Sequence, residues 1–225
     1  MHASLHHGWD LSRDDARRLQ QTLASEVIRE DELPELRSLA GVTLGYPRAA
    51  SGSVVGRAAV AVVRLPNLEI VEQHVIIRAM TFPYIPGYRS FREAPLVIAA
   101  LETLTTQPDL LLVEGHGVAD AARFGVASHL GILLDLPTLG CSTSAPIGTA
   151  LEPAPEAGAW SPLLDHDEVI GAAVRTKAGS RPVYVSSGHR ISLATALRIV
   201  LETTRTHRLP EPLRLASRLA AAQRP

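Results

Sequence analysis

The chain has 225 residues, 46% of them hydrophobic, and a formal net charge of -1 at pH 7. This length supports one sizeable hydrophobic core, and the near-zero charge excludes a strongly basic surface spread over the whole molecule. A single cysteine excludes an internal disulfide framework, and no apolar run approaches the roughly 20 residues of a membrane span. We expect a cytoplasmic protein with no membrane partner.

The N-terminal part is predicted to be a loose leader over residues 1–11, followed by a helix. Ser12 is a suitable N-cap because the acidic Asp15 follows three residues later, in a variant of the capping box. The next apolar residues repeat at helical spacing: Ala16, Leu19, Leu23, Val27 and Ile28. One face of this helix is expected to pack on the core. Because no linker or repeat divides the chain, we expect residues 1–225 to form a single α/β domain.

Three strands are predicted in the segment that follows. They cover residues 39–46, 57–65 and 68–79, and Pro66-Asn67 between the last two favours a tight turn. The second strand is almost wholly apolar, as a central strand is, whereas the third mixes charged and apolar residues, as an outer strand does. The three strands are therefore expected to form an antiparallel meander.

A loop with two prolines follows the meander. In Pro83-Tyr84-Ile85-Pro86-Gly87 the prolines forbid continuous sheet pairing, so Tyr84 is expected on an exposed, stiffened loop. A helix begins around Ser90-Phe91-Arg92-Glu93, because Pro95 is tolerated only in a first turn. Glu93 is thereby predicted to lie near a helix start.

The stretch Val113-Glu114-Gly115-His116-Gly117 gives the strongest indication of a site. It follows the apolar run Leu110-Leu111-Leu112, which is typical of a strand buried on both faces. Ligands of open α/β sheets bind at the carboxyl ends of such strands, where side chains converge. Glu114 is therefore a candidate site residue. The alternative is a carboxylate at the solvated end of a strand, followed by a glycine turn.

The C-terminal half is predicted to alternate helices and strands. The predicted helices cover residues 123–134, 192–204 and 213–222, and the predicted strands cover residues 137–141, 169–177 and 182–186. Residues 145–166 are rich in Pro, Ala and Gly and are predicted to be a loop. The strand, helix and strand between residues 108 and 141 predict a parallel crossover.

Four motifs, taken together, resemble those of the endonuclease V family. They are the loop at residues 83–87, Ser90-Phe91-Arg92-Glu93, Gly115-His116-Gly117 and Gly188-His189-Arg190. Their order and spacing agree with the family from about residue 16 to residue 216. The resemblance implies a ribonuclease H-like α/β fold, in which helices flank a mixed five-stranded sheet with three antiparallel strands.

The resemblance also implies an activity and its catalytic residues. Members of the family cut a DNA or RNA strand on the 3′ side of a deaminated purine, typically hypoxanthine, and they use magnesium. Such chemistry needs several converging carboxylates, because hard divalent cations prefer oxygen ligands. The matching residues of this sequence are Glu93, Glu114 and His189, with Glu93 and Glu114 as the metal ligands.

Contacts to the nucleic acid are implied in the same way. In the family, the loop that matches Pro83-Tyr84-Ile85-Pro86-Gly87 acts as a wedge and helps to hold a flipped base, as chemistry on an altered base generally requires. Gly115, His116 and Thr143 match further substrate-binding positions. The implied partner is an inosine-containing DNA or RNA strand.

The sequence departs from the family pattern within the site. The first-strand acid falls at Thr43, a neutral hydroxyl that cannot replace a metal-bridging carboxylate. The third acid, an aspartate in the family, is Glu114, and an expected lysine falls at Thr143. The family's His-Pro-Arg falls at Asp120-Ala121-Ala122, so the rim loses an arginine and gains an acid, which weakens phosphate attraction. We expect a degenerate active site whose magnesium is weakly bound or absent.

Three hypotheses about activity follow from these departures. The first is an endonuclease V whose cleavage is weakened by Thr43 and Thr143. The second is a catalytically inactive module that still inserts Tyr84 into nucleic acid, although a tyrosine between prolines also packs well without such a role. For the endonuclease V resemblance to hold, Thr43 and Glu114 must lie on the same face of the sheet. The architectural prediction adds Glu93 and His189 to that cleft and places Tyr84 at its rim.

The third hypothesis is an enzyme recruited to metal-independent chemistry on a small-molecule substrate. Cys141 follows a short strand that would border the site, with His189 or His116 as its base and Glu93 retained. This chemistry requires the cysteine and the histidine within hydrogen-bond reach. The alternative for a lone cysteine, and the commoner one, is a small buried hydrophobic residue.

Overall fold

The computed structural model describes residues 7–46 and 55–222. Within these residues the helices are α1 Arg13–Ala24, α2 Arg89–Leu101, α3 Val126–Leu134, α4 Leu193–Glu202 and α5 Glu211–Ala222. The strands are β1 Ser38–Gly45, β2 Val55–Arg64, β3 Glu69–Ala79, β4 Leu110–Glu114, β5 Thr138–Ser142, β6 Thr149–Ala150, β7 Trp160–Asp165, β8 Glu168–Val174 and β9 Val183–His189. In the same ranges, no helix combines the length and the apolar character that crossing a membrane demands.

The strands form one mixed sheet in the order β3-β2-β1-β4-β5-β9-β8-β7-β6. Strands β1, β2 and β3 pair antiparallel, and β1, β4 and β5 pair in parallel. The predicted meander, the predicted crossover through α3 and the α/β class with flanking helices are confirmed. The five strands implied by the family resemblance are too few, because the described part of the sheet has nine strands. The additional strands lie beyond β5 and pair antiparallel with one another.

Part of this difference comes from the segment predicted to be a loop. Residues 145–166 contain β6 and β7, and β7 alternates buried and exposed side chains over Trp160–Asp165. Ser161 and Leu163 point inward, while Pro162 occupies an outward position. A proline is tolerated in a strand so close to the sheet edge, because the edge has few ladder hydrogen bonds to lose. The composition of the whole segment therefore concealed a short period-two pattern.

Helices cover both faces of the central sheet. Helices α2 and α3 pack on the face that carries Val42, Leu111 and Val113. Helix α4 and the start of α5 pack on the opposite face, which carries Leu110 and Leu112. Successive residues of β4 thus enter different cores, which explains why this strand is a continuous apolar run rather than an alternating one.

The N-terminal segment is attached to the core where the structure describes it. The leader was predicted over residues 1–11, and residues 1–6 of it lie outside the described residues. The imidazole of His7 stacks on that of His129 in α3, with 2.9 Å between the two Nε2 atoms. Trp9 packs against the core between the sheet and helices α2 and α3. The predicted N-cap is confirmed, because Ser12 Oγ accepts a hydrogen bond from the Asp15 amide.

Helix α5 lies unusually close to the first strand. A Cβ atom built on Gly41 would come within 2.1 Å of the carbonyl carbon of Pro212, so only glycine fits at this position. Pro212 occupies the first turn of α5, where the missing N–H of proline costs nothing. This close approach brings the middle of α5 over the ends of β1 and β4.

Candidate functional site

The candidate site begins with Thr43 and Glu114. The parallel register of β1 and β4 pairs Val42 with Val113, so the next residue of each strand stands beside the other. The Thr43 hydroxyl donates a hydrogen bond to Oε2 of Glu114. Both side chains point to the α5 face, and thus the condition on which the endonuclease V resemblance depends is met.

Helix α5 contributes a third side chain that the sequence analysis missed. Ser217 Oγ lies 3.3 Å from Oε2 of Glu114 and donates a second hydrogen bond to it. The indications in the sequence were indirect: Gly41 in the first strand permits the close helix, and Leu213, Ala216 and Ala220 mark its buried face. Ser217 lies at the margin of that apolar stripe, where a polar side chain can face a cavity.

A cavity of about 330 Å³ opens above these groups. Its lining includes Thr43 and Glu114 from the strand ends, Ser217 from α5, Arg57 from β2 and Tyr46 after β1. The cavity thus holds one carboxylate, one guanidinium and three hydroxyl groups. A larger cavity of about 700 Å³ opens at the other end of β1, near Ser38. Its polar lining belongs largely to exposed ion pairs, so we place the chemistry at the smaller cavity.

Glu93 reaches the site indirectly, through Tyr46. The carboxylate of Glu93 is fully buried in α2, and its Oε1 accepts hydrogen bonds from the Tyr46 hydroxyl and from Nε of Arg89. Its Oε2 has no hydrogen-bond partner among the described residues. Desolvation, and then the charge of Glu93, raise the pKa of Tyr46, so this phenol stays protonated. Tyr46 therefore contacts Glu93 and also lines the cavity that Glu114 lines.

His116 remains neutral beside the same helix start. Burial, and then the positive charge of Arg89, lower the pKa of His116 to about 4. A neutral imidazole donates one hydrogen bond and accepts another, whereas a protonated ring only donates. His116 is thus able to contact a group that has both a donor and an acceptor.

The predicted placement of His189 in the cleft is wrong. His189 pairs with Thr138 at the start of β5, whereas Glu114 pairs with Cys141. Three residues along a strand correspond to about 10 Å. His189 also faces α3, where it packs on Gly131, and its Nδ1 accepts a hydrogen bond from the Ile28 amide at 3.3 Å. It lies on the face of the sheet opposite to Glu114.

Cys141 is placed as a core residue. Its side chain is fully buried, and burial together with the charge of Glu114 raises the pKa of the thiol to about 12. The antiparallel register pairs Cys141 with Val185, four positions before His189. His189 is therefore out of hydrogen-bond reach as a base for this cysteine, and the thiol stays protonated at neutral pH.

Two of the three segments matched to substrate contacts are exposed, whereas Gly115 in the third is buried and His116 is half-buried. Tyr84 is 72% exposed on its loop, and the loop is held by a 2.9 Å hydrogen bond from Gln20 Nε2 to the Gly87 carbonyl. Gly87 has a φ of +85°, a conformation that favours glycine. Thr143 is exposed after β5, and Nη2 of Arg208 lies 3.4 Å from its carbonyl oxygen.

Comparison with known proteins identifies one family. The family model for endonuclease V matches residues 21–218. An endonuclease V of Roseiflexus sp. (strain RS-1) is 47% identical over 221 residues, which cover 98% of this chain and 97% of the relative. The chain belongs to the endonuclease V family.

Solved structures of the endonuclease V family share the fold. The enzyme of Streptomyces avermitilis matches with a TM-score of 0.89 and 36% identity, over 96% of this chain and 94% of that one. The endonuclease V of Ciona intestinalis was solved in complex with a 24mer DNA that contains an inosine followed by a ribo-adenosine. It matches with a TM-score of 0.77 and 26% identity, over 92% of this chain and 95% of that one.

The endonuclease V family implies a divalent cation, and the side chains of this site do not fit one. In the two described ranges, no group of three or more His, Cys, Asp or Glu side chains is arranged to hold a metal ion. Glu114 is the carboxylate that lines the cavity, while Glu93 is engaged by Tyr46 and Arg89. Arg57 adds a positive charge to the same cavity, and divalent cations prefer several oxygen ligands of negative charge.

Proposed function

We propose that this protein recognises a hypoxanthine nucleotide in a DNA or RNA strand and cleaves the strand on its 3′ side, at a rate that its altered site keeps low. One observation carries the proposal: Thr43 and Glu114 meet at the ends of two parallel strands beneath α5, where the family pattern requires two acids. The fold and the position of the site are thus retained, while one of the two charges is not.

Recognition of the base is supported by the exposed Tyr84 loop and by the segment that follows Glu114. The Tyr84 side chain is exposed on a loop whose ends are anchored, so it can enter a strand without a large ordering cost. Gly115 and the neutral His116 lie next in the chain to Glu114, and hypoxanthine presents both hydrogen-bond donors and acceptors. The inosine-containing DNA bound by the Ciona enzyme supports the same class of partner for this chain.

The low rate follows from the state of the Glu114 carboxylate. Its Oε2 accepts hydrogen bonds from Thr43 and Ser217, so a cation must compete with two hydroxyl donors for this oxygen. Thr43 itself offers a neutral oxygen in place of a carboxylate. By analogy with the family, we expect this chain to bind magnesium weakly at most. The loss of one of several catalytic residues that act together ordinarily lowers the rate by orders of magnitude.

The recruited small-molecule enzyme is the less favoured candidate. Its proposed nucleophile, Cys141, is buried and protonated, and His189 faces the opposite side of the sheet. A buried thiol that stays protonated, with His189 out of reach, does not support nucleophilic catalysis at this position. The inactive binding module differs from the proposed enzyme only in the absence of cleavage, and one experiment separates the two.

The test is a nicking assay on matched labelled strands that carry inosine or adenosine at one position. We expect slow cleavage 3′ to the inosine, none at the adenosine, and loss of cleavage in the Glu114→Gln variant with binding retained. Glu156→Gln, at an exposed carboxylate distant in the chain, serves as the control substitution. Inosine-specific binding without any cleavage would instead identify a binding module, and the absence of both would refute the proposal.

A further inference from the structure

Arg57 is a buried cation whose guanidinium is only partly used. Its side chain lies on β2, and the residue is 8% exposed. Nη1 donates a hydrogen bond of 2.5 Å to the Ala220 carbonyl of α5. Nε and Nη2 are buried and have no hydrogen-bond partner among the described residues.

This arrangement is costly unless a ligand completes it. A guanidinium keeps its positive charge at physiological pH, and burying a charge without a partner is strongly unfavourable. Buried polar groups without partners in a folded protein therefore point to a ligand, an ion or a water molecule. Two adjacent donors of one guanidinium match the two oxygens of a phosphate or carboxylate group.

The position of Arg57 directs these donors to the candidate site. Arg57 pairs with Gly45 across β1 and β2, and it points to the α5 face like Ala59, which pairs with Thr43. Gly45 has no side chain, and a Cβ built on it would meet nothing within 4 Å. Arg57, Gly45 and Glu114 line one cavity.

We propose that Arg57 binds a phosphodiester on the 3′ side of the recognised base, so that the cavity is an oxyanion site in which a guanidinium supplies the positive charge. Nε and Nη2 donate to two non-bridging oxygens of the phosphate. The Thr43 and Ser217 hydroxyl groups satisfy Glu114 and limit its repulsion of the phosphate. This inference rests on the proposed function, and it accounts for the poor fit of the same cavity to a divalent cation.

The test is a double-mutant cycle between Arg57 and the charge of individual phosphates. Binding of a labelled inosine strand is measured with EDTA and without divalent cation, using strands that carry a neutral methylphosphonate at the first, second or third linkage 3′ to the inosine. For the unaltered protein, we expect the neutral methylphosphonate at one of these linkages to lower the binding affinity about 10-fold. Arg57→Leu should lower the affinity for the all-phosphate strand by about the same factor. In this variant, the methylphosphonate at that linkage should cause no further loss of affinity.

Control variants keep the outcome interpretable. Arg218→Leu removes an exposed arginine from α5, the helix that Arg57 contacts, and should leave the sensitivity to the linkage unchanged. Arg57→Gln repeats the cycle with a polar side chain if the leucine variant does not fold. An equal cost of every methylphosphonate in the unaltered and Arg57 variants would overturn the inference.

Failure of the proposed function has a different signature. If the unaltered protein binds inosine and adenosine strands equally while the coupling between Arg57 and one phosphate persists, base recognition is refuted and the phosphate site stands. If inosine is preferred without any coupling, the phosphate site alone is refuted. If no strand binds, both are refuted.

Discussion

The hydroxyl of Thr43 donates a hydrogen bond to Oε2 of Glu114 across the parallel pair of β1 and β4. The hydrogen bond occupies one oxygen of the carboxylate that lines the cavity. In the family pattern, an acid at the position of Thr43 would place two negative charges side by side here. A hydrogen-bonded pair with one negative charge replaces a pair of repelling carboxylates.

Thr43→Asp should restore cleavage in part. The new carboxylate is repelled by Glu114 until a cation binds, so its pKa rises in the free protein and the gain should increase from pH 6 to pH 8. We expect at least about a 10-fold gain in the nicking rate on an inosine strand with magnesium or manganese. The near-isosteric, uncharged Thr43→Asn is the control, and an equal gain in both variants would show that charge is not the missing element.

Thr143→Lys tests the second departure separately. Thr143 is exposed after β5, so a lysine there adds a cation without disturbing the core. We expect tighter binding of nucleic acid with a steeper dependence on salt, since each added phosphate contact releases counterions. A fluorescence binding titration at several salt concentrations measures this. The double variant Thr43→Asp/Thr143→Lys should nick faster than either single variant. A double variant that nicks no faster than Thr43→Asp alone would show that Thr143 is not part of the site.

Magnesium should bind the unaltered protein weakly. The cavity offers Glu114 together with the positive Arg57, which is a poor set of ligands for a hard cation. Isothermal titration calorimetry should detect no stoichiometric pair of ions in the absence of nucleic acid, and Thr43→Asp should strengthen the heat signal. Tight binding of two ions to the unaltered protein would contradict our description of the site.

Cys141 should prove to be a structural residue. Because its thiol is buried and its pKa is raised to about 12, maleimide labelling of the native protein at pH 8 should be far slower than labelling in denaturant. Cys141→Ala should retain nucleic-acid binding and lose about 1 kcal/mol of unfolding free energy through lost packing. Abolished activity in a folded Cys141→Ala protein would revive the recruited-enzyme hypothesis.

His116 should make the protein less stable in mild acid. Its pKa falls from 6.5 to about 4 on folding, so the unfolded chain binds a proton more readily between these values. Stability is therefore present above pH 6.5 and is lost as pH falls toward 4. As pH falls from 7 to 5, protonation of His116 in the unfolded chain should lower the free energy of unfolding by about 2 kcal/mol. Urea unfolding at the two pH values measures the loss, and His116→Gln should reduce it.

The local elements were largely predictable from the sequence because their signals are local. Ser12 and Ser192 cap the helices that follow them, and both N-caps are read from a hydroxyl placed before an apolar helical period. The buried strand that ends at Glu114 was visible as an apolar run. The short strand β7 was not, because its alternation extends over six residues and includes a proline.

The sequence by itself determined the family, the α/β class and the two strand ends at which Thr43 and Glu114 lie. These depend on motif order and on periodicity, which do not change when the chain folds. Only the tertiary structure decided which face of the sheet each side chain reaches, and this separated His189 from Glu114 and brought Ser217 and Arg57 into the cavity. Those placements depend on strand register and on the close contact of Gly41 with Pro212, and a shift of one residue in register would reverse them.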